Sequence, residues 1–155
     1  MGMIFAGRRL TPDQVRDLEI DAPGTLEKLG EAELDLDKAW HGIHFLLTRS
    51  AWKTTPGAGE AVLGGDPVGE DTGYGPARLL TADRVAAVAA GLRDLDAAAL
   101  RTRYDAAALE EAEIYPGIWD ADDVFETYLG PNADQLRAFY LAAARENQAV
   151  LLTIA

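Results

Sequence analysis

Apolar residues recur with a helical period over Leu34–Thr48. On a helix of 3.6 residues per turn they form an apolar stripe of Leu36, Trp40, Ile43 and Leu47, beside a polar stripe of Asp37, His41, His44 and Thr48. The first stripe predicts a central helix that faces the core, and the second stripe predicts its polar border. This prediction places both histidines of the chain next to buried residues.

Two apolar runs without helical period predict buried strands near the two ends of the chain. Met3–Arg8 is short, apolar and bounded by glycine, which indicates a first, central strand. Ala149–Ile154 is rich in branched residues and indicates a terminal strand. Tyr74–Leu80 predicts a short extended segment between them.

The remaining periodic segments predict helices with recognisable ends. Thr11 is a good N-cap before Pro12, and Ala22-Pro23-Gly24 is expected to end that helix. Gly130-Pro131 is expected to interrupt a helix that starts at Asp122. The other predicted helices are Val85–Leu92 after a cap at Thr81, Ala97–Tyr104, Ala106–Ile114, and a last helix capped by Asn132.

The segment Arg49–Gly75 is the most loop-like part of the chain, with seven glycines and two prolines in 27 residues. Within it, Glu60–Leu63 fits a helical turn and a brief strand equally well. Long loops inside compact domains are uncommon and often functional. Its glycines lack the context of a dinucleotide or P-loop motif, so we expect a flexible loop without a phosphate site.

The order of strand, helices, strand, helices and strand predicts an α/β fold. We expect a small mixed sheet covered by helices on both faces, a three-layer sandwich. At 155 residues and 16.6 kDa the chain has the size of one domain, which we place at 1–155.

Charge and composition narrow the function classes. The chain has 26 acidic and 14 basic residues, a net charge of −12, and such a surface repels nucleic-acid phosphates and anionic membranes. It contains no cysteine, which excludes disulfides and thiolate chemistry, and no apolar run long enough to span a membrane. These features predict a cytoplasmic protein whose partner is another protein, which could be basic, or a small-molecule ligand.

Three groups of residues could carry chemistry. Asp37, His41 and His44 have a spacing that could share a metal ion, but helical di-histidine sites more often use a different spacing and need a further ligand, so we expect neither metal nor cofactor. The favoured interpretation of His44 is structural, with one ring hydrogen bond donated beside Trp40, and an acid-base or ligand-contacting role is the alternative. Arg78 could pair with Asp71, Glu113 or Asp37, or bind an anion bidentately. The candidate pocket comprises Trp40, His44, Tyr74, Arg78, Glu113, Tyr115 and Trp119.

The chain also resembles the YfbM-like family, a bacterial domain of unknown function. The resemblance starts in Leu34–Thr48 and continues through Met1–Ile4, Ala61–Gly65, Tyr74–Arg78 and Glu113–Pro116 to the closing helix and strand. It implies a compact three-layer α/β fold in a soluble bacterial protein. It implies no activity and no catalytic residues. It points to Trp40 and His44 more than to His41.

Two functions follow as hypotheses. The first is a non-enzymatic binding or interaction protein, for example an immunity-like protein that blocks a basic toxin, with an aromatic groove around Trp40, His44, Tyr115 and Trp119. The second is a small hydrolase or transferase in which His44 is a general base. In this enzyme Glu113 or Asp37 would orient His44, and Arg78 would hold an anionic substrate.

Overall fold

A computed structural model of the protein describes residues 2–71 and 73–155. It contains a five-stranded sheet of order β2-β1-β5-β4-β3, in which all four strand pairs of the described residues are antiparallel. The strands are β1 (Phe5–Leu10), β2 (Leu34–Asp37), β3 (Asp66–Val68), β4 (Ala77–Leu80) and β5 (Ala149–Ile154). The predicted mixed sheet is therefore wrong, because the order of elements along the chain does not determine the directions in which the strands pair.

Helices pack with this sheet and provide many of the buried apolar side chains. The described part of the chain has seven α-helices and two irregular helical turns. The α-helices are α1 (Pro12–Ile20), α2 (Ala22–Lys28), α3 (Trp40–Thr48), α4 (Ala82–Leu92), α5 (Ala97–Arg101), α6 (Ala106–Glu111) and α7 (Gly130–Arg145). Gly57–Glu60 forms a 3-10 turn, and Phe125–Leu129 forms a π-helical turn that leads into α7.

The central strand β5 contributes to two hydrophobic clusters with alternate residues. Val150 and Leu152 belong to the larger cluster, which includes buried residues of α3, α4 and α7. Ala149 and Leu151 belong to a smaller cluster with Leu18 of α1. Because successive side chains of a strand point to opposite faces, β5 is covered on both faces, which explains its continuous apolar sequence.

Several predicted elements are confirmed. Thr11 caps α1: its hydroxyl accepts the backbone N–H of Gln14, the Gln14 side chain accepts the backbone N–H of Thr11, and Pro12 is the first helical residue. Helix α4 and strand β5 also form where their sequence patterns predict them. The first strand begins at Phe5 and is an inner strand of the sheet, paired with β2 and β5, while the middle position of the sheet belongs to β5.

The predicted helix over Leu34–Thr48 is wrong in its first third. Leu34–Asp37 is strand β2, with buried leucines alternating with exposed aspartates, and Asp37 leaves the strand with φ of 50°. Helix α3 begins only at Trp40. Leu34 and Leu36 are also compatible with the start of an amphipathic helix. The alternation of this short strand is therefore masked in the sequence by the helical period that follows it.

Helix α1 ends at Ile20, just before Ala22, as the sequence predicts. The segment Ala22-Pro23-Gly24 then starts a second helix: Pro23 and Gly24 lie in the first turn of α2, where Asp21 accepts the N–H of Gly24 and a proline leaves no helical N–H unpaired. Gly130-Pro131 does not interrupt the later helix, because the preceding turn is π-helical and the N–H of Gly130 bonds the carbonyl of Phe125, five residues back. This wider turn admits Pro131, which has no N–H.

The long loop contains more structure than its composition indicates. For Glu60–Leu63 the structure favours the predicted helical turn over the strand, because a 3-10 turn at Gly57–Glu60 continues into a turn. Asp66–Val68 adds the edge strand β3. Strand β3 contains Pro67, which is tolerated at a sheet edge. Among the described residues, no helix has the length and apolar character that crossing a membrane requires. The cytoplasmic location stays a prediction.

Candidate functional site

Helix α3 is the element from which the candidate site is built. The helix ends at Arg49, which has a left-handed conformation with φ of 63°. Gly42 lies against Trp119, and a Cβ atom at this position would come within 2.6 Å of Trp119 Cη2. The buried Trp119 in turn donates its indole N–H to the carbonyl of Ile114 at 2.8 Å. Residue 42 therefore allows the chain around 114–119 to pack directly onto α3.

The two histidines of α3 are buried and bind backbone groups. His41 Nε2 lies 2.8 Å from the carbonyl oxygen of Ala51, and His44 Nε2 lies 2.9 Å from that of Lys53. Because a carbonyl only accepts, both Nε2 atoms carry the proton and donate it. His41 Nδ1 accepts the backbone N–H of Tyr115 at 2.9 Å. Both rings are therefore assigned the Nε2-protonated neutral form.

The surroundings of the histidines favour this neutral form. Burial lowers the pKa of His44 to about 4, and the bond to Lys53 opposes this shift. Repulsion from His41, when that ring is protonated, and from Arg78 lowers the pKa further. Burial also lowers the pKa of His41, against the opposing bond to Ala51. Both side chains are uncharged at neutral pH. His44 Nδ1 has no hydrogen-bond partner among the described residues.

The two histidine bonds flank Trp52 and fix the loop that carries it. The accepting carbonyls belong to the residues directly before and after this tryptophan. The Trp52 ring lies 4.5 Å from the His41 ring and 6.4 Å from the Trp40 ring, centroid to centroid, and is 64% exposed. Helix α3 thus holds an exposed tryptophan in a defined place through bonds to its neighbours' backbone.

Trp52 is part of the wall of a cavity of about 260 Å³. The lining is largely aromatic and aliphatic, and we name this feature the aromatic cavity, lined by Met3, Trp40, Trp52, Leu63, Tyr74 and Arg78. Trp40 donates its indole N–H to the carbonyl of Met3 at 2.9 Å, and Tyr115 OH accepts the backbone N–H of Met3 at 2.9 Å. These bonds fix the N-terminal wall, and the exposed rings of Trp52 and Tyr74 remain open to a ligand.

Arg78 is the charged side chain on the wall of the aromatic cavity. Its Nη1 donates to the carbonyls of Val62 and Gly64 at 2.9 and 2.7 Å. The predicted ion pairs are wrong: among the described residues no carboxylate lies within 4.0 Å of Arg78, since Asp71 instead accepts backbone N–H groups of its own loop. Burial lowers the pKa of Arg78, but a guanidinium stays charged in proteins.

The structure brings together three of the seven candidate pocket residues. Trp40, Tyr74 and Arg78 line the aromatic cavity, and Tyr74 is 49% exposed. Tyr115 packs behind the wall, with its ring 5.9 Å from that of Trp40.

The other three candidates lie elsewhere. His44 and Trp119 are fully buried in the packing around α3, and Glu113 is exposed on a turn with φ of 56°. The predicted polar border is therefore wrong for His41 and His44, because both rings are buried and donate to backbone carbonyls.

The spacing of Asp37, His41 and His44 does not produce a shared site. Asp37 lies at the end of β2, before the helix, and its carboxylate accepts the hydroxyl of Tyr128 at 2.6 Å. Each histidine donates to a separate backbone carbonyl. Over residues 2–71 and 73–155, no group of three or more potential ligands is placed to hold a metal ion.

Sequence reasoning missed Trp52, Met3 and Leu63 as parts of the cavity. Of the three, Trp52 could have been detected from the sequence. It is a large aromatic residue in a glycine-rich loop, where no hydrophobic period predicts that it is part of the core. Met3 and Leu63 had no such signal, since each was already explained as part of a strand or turn.

These features define a small α/β domain with an antiparallel sheet, two buried histidines that hold a loop, and an aromatic cavity beside them. The chain belongs to the family described as domain of unknown function DUF1877, which it matches over residues 1–153. It is similar to a solved structure of a protein of unknown function, YfbM from Escherichia coli. The two share 25% sequence identity with a TM-score of 0.74, over 99% of this chain and 100% of the other. No curated protein matches the chain. The resemblance predicted from the sequence is confirmed.

Proposed function

We propose that this protein is a non-enzymatic binding protein and that the aromatic cavity is its ligand site. The observation that carries the proposal is the fixed, exposed position of Trp52, whose two neighbours are each bonded to a histidine of α3. An exposed aromatic side chain held rigidly beside a cavity supplies contact area with little loss of side-chain entropy on binding. Tyr74 extends the same surface.

The alternative hypothesis of an acid-base enzyme has less support. A general base needs a pKa near the working pH and access to the substrate proton. Burial keeps the pKa of His44 at about 4, and the ring is inaccessible to solvent. Neither Asp37 nor Glu113 forms a hydrogen bond with it among the described residues. These properties match a structural donor better than a catalytic base.

The proposal includes the three-layer arrangement expected from the sequence. It is supported by the alternation of β5 between two hydrophobic clusters, one with α1 and the other with α3, α4 and α7. In this arrangement the aromatic cavity lies where the chain segments after α3 and before β4 meet the N-terminal segment. A rigid sheet and α3 then support a site built from loops.

The test is a thermal-shift screen of wild type, Trp52→Ala and Ile20→Ala against sugars, nucleotides, amino acids and small organic acids. Ile20 is a matched control, because it is an apolar residue that is 85% exposed on α1 and does not line the cavity. A ligand at about 100 times its Kd stabilises the folded state by about 2.7 kcal/mol. We expect hits with wild type and Ile20→Ala that Trp52→Ala loses.

Three results would count against the proposal. Hits that persist equally in Trp52→Ala place the ligand elsewhere. Turnover of a hit that His44→Gln abolishes returns the function to the enzyme hypothesis. Silence across the library, together with a purified basic protein that binds wild type but not Trp52→Ala, assigns the surface to a protein partner instead.

A further inference from the structure

The guanidinium of Arg78 has one edge that no described residue uses. Its Nη1 is occupied by the carbonyls of Val62 and Gly64. Its Nε and Nη2 form no hydrogen bond within residues 2–71 and 73–155. In arginine these two groups present parallel N–H bonds, the geometry that a carboxylate accepts bidentately. Among the described residues, Nη1 of Arg78 is therefore held by two carbonyls, while Nε and Nη2 can donate hydrogen bonds to a ligand.

The charge of Arg78 is also uncompensated, although carboxylates are abundant in the chain. The sequence has 26 acidic residues, yet among the described residues none forms an ion pair with this guanidinium. A half-buried cation without an anionic partner is unfavourable unless its hydrogen bonds and charge are satisfied. The two carbonyls satisfy part of its hydrogen bonding but bring no negative charge. The electrostatics of the cavity are thus complementary to an anion.

We propose that the ligand of the aromatic cavity is a small aromatic monocarboxylate. Its carboxylate accepts hydrogen bonds from Nε and Nη2 of Arg78, and its ring packs against the exposed rings of Trp52 and Tyr74. This inference rests on the proposed binding function and names the class of ligand that the site takes. Phenylacetate has the required chemistry and serves as the probe.

The size of the cavity and the charge of the protein both restrict the ligand. A volume of about 260 Å³ is slightly below the roughly 300 to 1,000 Å³ that is typical of small-molecule pockets, so it suits a ligand of one ring with a short acidic arm. A net charge of −12 repels multiply charged anions more strongly than singly charged ones. A monocarboxylate is therefore favoured over an aryl phosphate, which carries close to two charges.

The test is calorimetric titration of the wild-type protein with four probes. Phenylacetate is compared with phenylacetamide, which keeps the ring but lacks the charge, and with propionate, which keeps the charge but lacks the ring. Phenyl phosphate represents the competing anion. We expect phenylacetate to bind about 10- to 100-fold more tightly than phenylacetamide, because hydrogen bonds between charged groups are roughly twice as strong as neutral ones. Propionate and phenyl phosphate should both bind more weakly than phenylacetate.

Variants of Arg78 then locate the effect. Arg78→Lys keeps the positive charge but loses the two-pronged edge, and Arg78→Gln loses both. Arg93→Gln is the matched control, since its side chain is exposed and outside the cavity. Thermal melting of each variant without ligand establishes that it is folded. We expect the preference for phenylacetate over phenylacetamide to persist in Arg93→Gln, to shrink in Arg78→Lys, and to vanish in Arg78→Gln.

The outcomes separate this inference from the proposed function. If phenylacetamide binds as tightly as phenylacetate, and both are lost in Trp52→Ala, the cavity is a binding site but the carboxylate assignment is wrong. If phenyl phosphate binds more tightly than phenylacetate, the anion is a phosphate. The comparison of probes uses the wild-type protein alone, so it remains decisive if an Arg78 variant does not fold. If none of the aromatic probes binds, the assignment to aromatic monocarboxylates is overturned.

Discussion

Acidification should destabilise this protein through His44. Burial lowers the pKa of His44 from 6.5 to about 4 in the folded state. Between these values the unfolded chain binds a proton that the folded protein does not, so the free energy of unfolding decreases as the pH falls. The contribution is fully present above pH 6.5 and is lost as the pH approaches 4. The lowered pKa of His41 acts in the same direction.

The size of the effect follows from the two pKa values of His44. At about pH 5 the difference in proton binding removes about 2 kcal/mol of stability, at a slope of about 1.4 kcal/mol per pH unit within the window. For a protein of 155 residues this corresponds to a decrease in Tm of roughly 4 to 8 °C.

The assay is urea unfolding of wild type and His44→Gln at about pH 7.5 and about pH 5. Tryptophan fluorescence monitors the unfolding. The glutamine amide can donate to the carbonyl of Lys53 as His44 Nε2 does, but it does not titrate. All other ionisable groups are the same in the two proteins, so their contribution cancels in the comparison. Wild type should lose about 2 kcal/mol more than His44→Gln on acidification. Equal losses in the two proteins would refute the buried neutral state of His44.

Two further predictions concern the packing around the site. Gly42→Ala should lower the free energy of unfolding by about 1 to 3 kcal/mol, because the new methyl group would lie 2.6 Å from Trp119 Cη2. Gly30→Ala is the control, because its new methyl group meets nothing within 4 Å. Equal urea midpoints for the two variants would contradict the contact. Tyr140→Phe should lower the free energy of unfolding by about 1 kcal/mol or more, because the buried carbonyl of Ala61 loses its 2.7 Å hydrogen bond. An unchanged urea midpoint in Tyr140→Phe would show that this bond contributes no net stability.

Much of the fold could be predicted where local chemistry decides the structure. Thr11 with Pro12 specifies a helix start within four residues, and the branched run Ala149–Ile154 has few alternatives to a buried strand. Strand β2 was not predicted, because two leucines in four residues are too few to establish a period of two. The predicted break at Gly130-Pro131 failed because a π-helical turn precedes the dipeptide and accommodates it, and the dipeptide itself gives no signal of that turn.

The candidate site could be predicted only in part for a similar reason. Trp40, Tyr74 and Arg78 were selected for residue type, and the fold brings these three to one cavity. His44 was selected for its chemistry, but its role depends on a carbonyl nine residues away in a loop whose path no pattern specifies. Trp52 belongs to the same loop. Contacts between a helix and an aperiodic segment leave no repeating signal in the sequence, so they become visible only in the folded chain.

Histidine is well suited to the place that His41 occupies. The ring donates from Nε2 to the carbonyl of Ala51 and accepts at Nδ1 from the N–H of Tyr115, so it joins two loops while remaining uncharged. A lysine there would donate but not accept, and it would bring a charge into a buried position. A leucine would leave a carbonyl and an N–H without partners, at roughly 1 to 3 kcal/mol each. The positions of the Trp52 loop and the Tyr115 turn are therefore coupled through one neutral ring, which explains how a glycine-rich segment can hold an exposed tryptophan in place.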